Sequence, residues 1–213
     1  MLKTITALKV QKRNPNRVNI FLDDEFAFGL YLFTAACLKV GQKISQNLIE
    51  KLQEDDQIEA GYQKALRFIS YKPRTKADIQ KKLLESGFDK ESISIVIKRL
   101  IEKGYLDDHL YAKNWIENRS VFRPRSHKLF TWELRNKKVS EEIISEVVGN
   151  AVPDEQLALL AAEKYARRLS GCEKDVFIRR LSGYLNRRGF SYSIVKPLVI
   201  ETWEKLRQSK LEN

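Results

Sequence analysis

Two cysteines, two histidines and one methionine in 213 residues leave little soft or imidazole chemistry for the chain to use. Cys37 and Cys172 lie 135 residues apart and follow no metal-ligand or redox spacing, which suits a reducing cytosol rather than a disulfide-stapled scaffold. Nine glycines include no phosphate-cradling loop, and no nucleophile elbow occurs. Long hydrophobic runs are missing as well. The longest weakly polar stretch, Phe26 to Leu38, is interrupted by Gly29 and Thr34 and falls short of the ~20 residues that cross a bilayer. Met1-Leu2-Lys3-Thr4-Ile5 offers neither the apolar region nor the small-residue cleavage site of a secretory leader. The expectation is a cytoplasmic protein with no membrane partner and no cofactor.

What the chain does have is charge and enough apolar residues to fold. Hydrophobic residues make up 43% and charged residues 31%, so a core is affordable and a disordered composition is excluded. Lys and Arg number 39 against 28 Asp and Glu, for a net charge of +11. The excess is uneven: residues 1–60 are neutral, residues 61–150 carry +7 and residues 151–213 carry +4. A polyanionic partner is therefore expected to meet the C-terminal two thirds.

The neutral N-terminal third has short β-rich runs, Ile5 to Gln11 and Arg17 to Leu22, separated by the turn formers Arg13-Asn14-Pro15-Asn16. An Asp23-Asp24 turn precedes Glu25-Phe26-Ala27-Phe28. These features predict a small antiparallel sheet of three strands with a short helix over Tyr31 to Cys37. Ser45 is placed to cap a helix through Leu48, Ile49 and Leu52, and Glu54-Asp55-Asp56 reads as an acidic break after it.

The remaining chain repeats itself every 51 residues. Leu83-Leu84-Glu85-Ser86-Gly87-Phe88 aligns with Leu134-Arg135-Asn136-Lys137-Lys138-Val139 and with Leu185-Asn186-Arg187-Arg188-Gly189-Phe190. The same step matches Ile79, Phe130 and Leu181; Ile93, Ile144 and Val195; Val96, Val147 and Leu198; and Ile97, Val148 and Val199. In each copy a helix ends near the Gly-Phe or Lys-Val pair and another follows with i, i+3, i+4 spacing. Gly87 and Gly189 suit the left-handed residue beyond a helix end, whereas Lys138 predicts a different ending in the middle copy. A further helix precedes each pair, carried by Tyr62 and Ala65, by Tyr111 and Ile116, and by Leu157 and Ala161. The predicted fold is mainly α, with three tandem three-helix repeats behind a small antiparallel β-containing N-terminal domain. The expected division is 1–56, 57–106, 107–152 and 153–213.

Basic residues cluster at equivalent places in the three copies. Arg74, Lys76, Lys81 and Lys82 belong to the first, Arg123, Arg125, Lys128, Arg135 and Lys137 to the second, and Arg179, Arg187 and Arg188 to the third. A solvated helix face explains any one cluster, but their recurrence favours a stripe that follows an anionic polymer. Such phosphate neutralisation predicts weak, sequence-independent and salt-dependent binding to nucleic acid. Asp107-Asp108-His109 invites comparison with a metal site, but Asp108 stands where a helix N-cap belongs, so no metal site and no catalytic residue are assigned. Phe68, Phe88, Phe130, Tyr165 and Phe190 are expected in the core, and Tyr71, Phe122 and Tyr192 as core or loop anchors rather than stacking platforms.

Ala65-Leu66, Pro73-Arg74-Thr75-Lys76-Ala77-Asp78-Ile79, the Leu83–Phe88 hexapeptide, Gly104-Tyr105-Leu106-Asp107-Asp108, Tyr111-Ala112 and Arg119 together resemble the RecX family of recombination regulators. The likeness continues through Leu134 and Asn186-Arg187-Arg188-Gly189-Phe190 and spans residues 60–205. The middle copy departs from the family pattern at Pro124-Arg125-Ser126 and at Lys138, where glycine is usual. Residues 1–55 resemble an extension found in some members. The resemblance implies tandem three-helix repeats in a bacterial cytoplasmic protein. Such a protein binds the RecA recombinase and its single-stranded DNA filament and inhibits strand exchange, ATP hydrolysis and co-protease activity. Separately, a monomer without enzymatic activity is expected. An alternative from the residues alone is a duplex-binding transcription regulator, because Thr75 to Leu106 has a helix–turn–helix flavour.

Overall fold

A computed structural model describes residues 2–211, with side chains to residue 208. The chain divides into two compact units, Met1–Leu106 and Asp107–Asn213. No helix among the described residues is long and apolar enough to cross a membrane.

The first unit opens with strands β1 (Leu2–Gln11), β2 (Asn14–Leu22) and β3 (Glu25–Tyr31). Asp23 and Asp24 link β2 to β3 with both residues at positive φ, the backbone of a tight hairpin turn that acidic and amide side chains tolerate. Alternation along the strands turns Ile5, Val18, Ile20, Leu22, Phe28 and Leu30 inward. The sheet has four strands rather than three, in the order β3-β2-β1-β4, all antiparallel. The added strand, β4 (Lys43–Ser45), pairs Ile44 with Lys3 at the start of β1. Three residues are too few to display a period of two, so pattern alone could not reveal it. The helix expected over Tyr31 to Cys37 is a single turn, α1 (Leu32–Ala35).

Helix α2 (Gln46–Ser70) starts as expected, with Leu48 N–H donating to Ser45 Oγ at 3.3 Å. It then continues for 25 residues without the acidic break. Asp56 is instead buried within it, accepting hydrogen bonds from Arg17 Nη2 at 2.9 Å and from the Tyr31 N–H. Arg17 also reaches the Gly29 carbonyl, so one ion pair ties the helix to two strands. Glu59, one turn on, is buried against Arg99 at 2.6 Å. What reads as a polar interruption lies on the buried face of a spine, in line with Ile49 and Leu52. Its first half closes the sheet core through Ile49 and Leu52, and its second half enters the next core through Tyr62 and Ala65.

That second core belongs to the first three-helix repeat, completed by α3 (Lys76–Leu84) and α4 (Lys90–Glu102). The second unit holds α5 (Asp108–Phe122), α6 (His127–Asn136) and α7 (Glu141–Gly149), then α8 (Asp154–Ala166), α9 (Lys174–Arg187) and α10 (Tyr192–Leu211). These six helices share one hydrophobic core, as expected where a unit of ~50 residues is too small to bury its own surface. The repeat is physical. Ile79, Phe130 and Leu181 are all completely buried, and so are Leu83, Leu134 and Leu185.

The middle copy ends its second helix like the others. Lys138 takes a φ of +58° where Gly87 and Gly189 take +85° and +86°, so the left-handed backbone is kept despite the side chain. In all three copies the following hydrophobe closes the helix: Phe88, Val139 and Phe190 N–H groups donate to the carbonyls of Leu83, Leu134 and Leu185. Burial of Val139 at the helix end outweighs the strain at Lys138, which corrects the sequence expectation. The cap of α5 also shifts by one residue: Asp107, not Asp108, accepts from Leu110 N–H at 2.9 Å.

Candidate nucleic-acid and filament interface

The joint between the first and second helices of a repeat is built twice to one five-residue pattern: aromatic, basic, proline, arginine, hydroxyl. Tyr71-Lys72-Pro73-Arg74-Thr75 follows α2, and Phe122-Arg123-Pro124-Arg125-Ser126 ends α5 and leads into α6. Proline fixes φ at the bend. Thr75 and Ser126 then cap the next helix, accepting from Asp78 N–H at 3.2 Å and Leu129 N–H at 3.3 Å. The match lies at the same 51-residue offset as the hexapeptides, so it was legible in the sequence and was missed there.

Each elbow turns its arginine inward and its ring outward. Arg74 lays its guanidinium over the Phe68 ring at 3.7 Å, with Lys82 Nζ 5.8 Å from the same ring. In the second copy the positions equivalent to Phe68 and Lys82 are Arg119 and Glu133. Glu133 is buried and carries the whole arrangement: it pairs with Arg125, lies 2.5 Å from Arg119 Nε and accepts from Trp115 Nε1 at 2.8 Å. Arg119 in turn stacks on Trp115 at 3.5 Å. The same three positions thus use an aromatic ring in one copy and a carboxylate in the other to hold the elbow arginine. Burial, reinforced by the charges of Arg119, Arg188 and Arg123, pushes the Arg125 guanidinium below its usual pKa.

The twelve basic candidates separate by environment. Arg74, Lys76, Lys81 and Lys82 lie in the first unit and the other eight in the second. Lys76, Lys81, Arg123, Lys128, Arg135, Arg179 and Arg187 are exposed, whereas Arg74, Lys82, Arg125, Lys137 and Arg188 are half-buried. Arg135 is engaged by Glu141 through two hydrogen bonds of 2.7 Å, which raise its pKa. Lys81 lies 3.9 Å from Glu85. Within the second unit the structure brings Arg188 beside Arg125: the Ser126 N–H donates to the Arg188 carbonyl at 3.0 Å, and Arg188 lies over the Tyr184 ring at 4.9 Å.

The aromatic assignments change. Phe130 and Phe190 are core residues, while Phe68, Phe88 and Tyr165 are half-buried at its edge. Tyr71, Phe122 and Tyr192, expected as core or loop anchors, are instead 72%, 69% and 70% exposed. Each sits at a helix boundary, where a ring beyond the end of an apolar stripe can point away from it. Trp132 is also exposed and borders a cleft of about 440 Å³ with Lys128, Leu129, Asn186, Gly189 and Phe190. Its neighbours come from two helices far apart in sequence, so no sequence signal announced that cleft.

Comparison with known proteins agrees with this architecture. Residues 3–45 match the regulatory protein RecX N-terminal domain, residues 62–100 the first RecX three-helix domain and residues 153–199 the third. The regulatory protein RecX of Clostridium botulinum (strain Eklund 17B / Type B) is 30% identical over 92% of this chain and 95% of its own length. That of Bacillus subtilis (strain 168) is 27% identical over 90% and 74%. A crystal structure of regulatory protein RecX superposes with a TM-score of 0.74 at 26% identity, covering 92% of this chain and 98% of the other. With its N-terminal sheet and its first and third helical repeats each matched in order, the chain belongs to the RecX family of regulatory proteins.

Proposed function

We propose that this regulatory protein binds the RecA recombinase and its filament on single-stranded DNA in the bacterial cytoplasm. There it inhibits strand exchange, ATP hydrolysis and co-protease activity in DNA repair and the SOS response. The observation that carries the reading is the exposure of basic side chains, Lys76, Lys81, Arg123, Lys128, Arg179 and Arg187, on helical repeats of a RecX-family chain. The net positive excess of residues 61–213 supports an anionic nucleoprotein partner. Arg74, Arg125 and Arg188 act as supports for the elbows, since their guanidiniums pack on Phe68, Glu133 and Tyr184. DNA binding by the chain itself is weak and indifferent to sequence, because phosphate contacts carry no base readout.

RecA ATP hydrolysis on single-stranded DNA provides the test. Wild-type protein lowers the rate, and a variant with the six exposed basic residues changed to Glu loses that effect while keeping its helical circular-dichroism spectrum. Unchanged RecA turnover with wild type contradicts the RecA assignment. Equal inhibition by the charge-reversed variant contradicts the basic face. A preference of orders of magnitude for one duplex sequence over scrambled competitor supports the transcription-regulator alternative instead.

A further inference from the structure

We propose that the two elbows are equivalent single-strand contacts, in which Tyr71 or Phe122 stacks on an unpaired base and Lys72 or Arg123 neutralises the neighbouring phosphate. The inference rests on the nucleic-acid part of the function proposed above and assigns its contact points.

Three observations carry it. First, the two rings occupy equivalent repeat positions and are both about 70% exposed, although a helix end beside an apolar core offers an easy place to bury an aromatic. Second, each ring is followed by an exposed basic residue, Lys72 or Arg123, in the most basic segment of the chain. Third, the bend is held rigidly from behind: proline restricts the backbone, Arg74 is stacked on Phe68, Arg125 is paired with Glu133, and Thr75 and Ser126 are fully buried caps. A ring and a cation at fixed spacing on a rigid joint lose little conformational entropy on binding. The structural framework differs between the two copies, Phe68 and Lys82 against Arg119 and Glu133, yet the outward-facing pair is kept in both.

An unpaired base fits this pair better than a duplex does. Base faces in a duplex are already covered by their neighbours, whereas a single strand presents them to aromatic side chains, and stacking tolerates any sequence. The third copy lacks the element, because the positions equivalent to 122–126 are Glu173-Lys174-Asp175-Val176-Phe177, and Phe177 is completely buried. Two contacts per chain are therefore expected.

Fluorescence anisotropy of the full chain with labelled thirty-nucleotide oligo-dT tests the proposal. Tyr71→Ala and Phe122→Ala each weaken binding about fivefold or more, the range expected for loss of one stacked base, and the losses multiply in the double variant. Tyr71→Trp and Phe122→Trp retain or improve affinity. The ring variants leave the salt slope unchanged, whereas Lys72→Gln and Arg123→Gln each lower it by roughly 0.7, as expected for one single-strand phosphate. Wild-type affinity in the double ring variant, with binding still abolished by reversing Lys76, Lys81 and Lys128, overturns the elbow assignment and leaves nucleic-acid binding intact. A double variant that keeps oligo-dT affinity but no longer inhibits RecA assigns the rings to a protein surface and equally overturns it. Failure of the wild-type chain to bind oligo-dT overturns the elbow assignment together with DNA binding by the chain itself, while the RecA assignment stands or falls on RecA ATP hydrolysis.

Discussion

Glu133 is a single carboxylate that holds two guanidiniums and an indole, and it sits in a part of the chain where bases outnumber acids. Removing one partner from a buried ion pair strands the other charge, which costs about 3–5 kcal/mol. Glu133→Gln is therefore expected to lower the unfolding free energy by about 3 kcal/mol in urea titration, and to loosen the second elbow in particular. At Asp89 the expected effect depends on pH. Its carboxylate caps α4 and lies below its ordinary pKa, first through the Ser92 N–H at 2.8 Å and then through the Ser92 hydroxyl at 2.7 Å. A depressed folded-state pKa means that the contribution is complete above the ordinary Asp range and is lost as pH falls through the lowered value. Asp89→Asn should flatten that acid limb of the stability profile, and an unchanged limb contradicts the assignment. Neither Glu133 nor Asp56 was legible as a buried acid, because its partners lie on other elements: Trp115 and Arg119 on α5, and Arg17 on β2. A charge in sequence gives no sign of which charge will face it.

Helix ends show most clearly what a repeat encodes and what it hides. The 51-residue offset aligns the three helix ends because Gly87, Gly189 and the leucines before them serve the same backbone geometry. It misjudged Lys138, since strain at one residue is paid by burial of the next. Lys138→Gly should relieve a left-handed backbone and stabilise the chain by roughly 1 kcal/mol, read as a higher melting temperature. The two glycines separate a local from a tertiary effect. A side chain at Gly87 meets nothing within 4 Å, so Gly87→Ala should cost only the backbone term of about 1–2 kcal/mol. At Gly189 a Cβ would collide with Ser126 Oγ, so Gly189→Ala should cost more and should disturb the cap of α6. Equal losses at the two sites would show that the approach of Gly189 to Ser126 contributes nothing. Strand β4 and the long α2 escaped sequence reading for opposite reasons: one is too short to show a period, and the other carries its acids toward partners that only the folded sheet and α4 provide.

At the scale of the whole chain, residues 1–60 carry no net charge and the net +11 falls on residues 61–213. The structure divides those basic residues into exposed side chains and arginines that brace the elbows, so charge count alone overstates the binding surface. Exposed aromatics at matching repeat positions add a contact type that composition could not reveal. Association with a RecA–DNA filament should therefore weaken with salt while retaining a salt-insensitive part that comes from stacking and shape. Hydrogen exchange of the full chain, with and without RecA filament on single-stranded DNA at low and moderate salt, measures this most directly. Added protection is predicted across 71–76, 122–128 and 187–190, persisting in part at moderate salt, with the sheet amides of residues 2–31 unchanged. Protection confined to the N-terminal sheet, or none in the repeats at either salt, would contradict the proposal that the helical repeats dock on the filament.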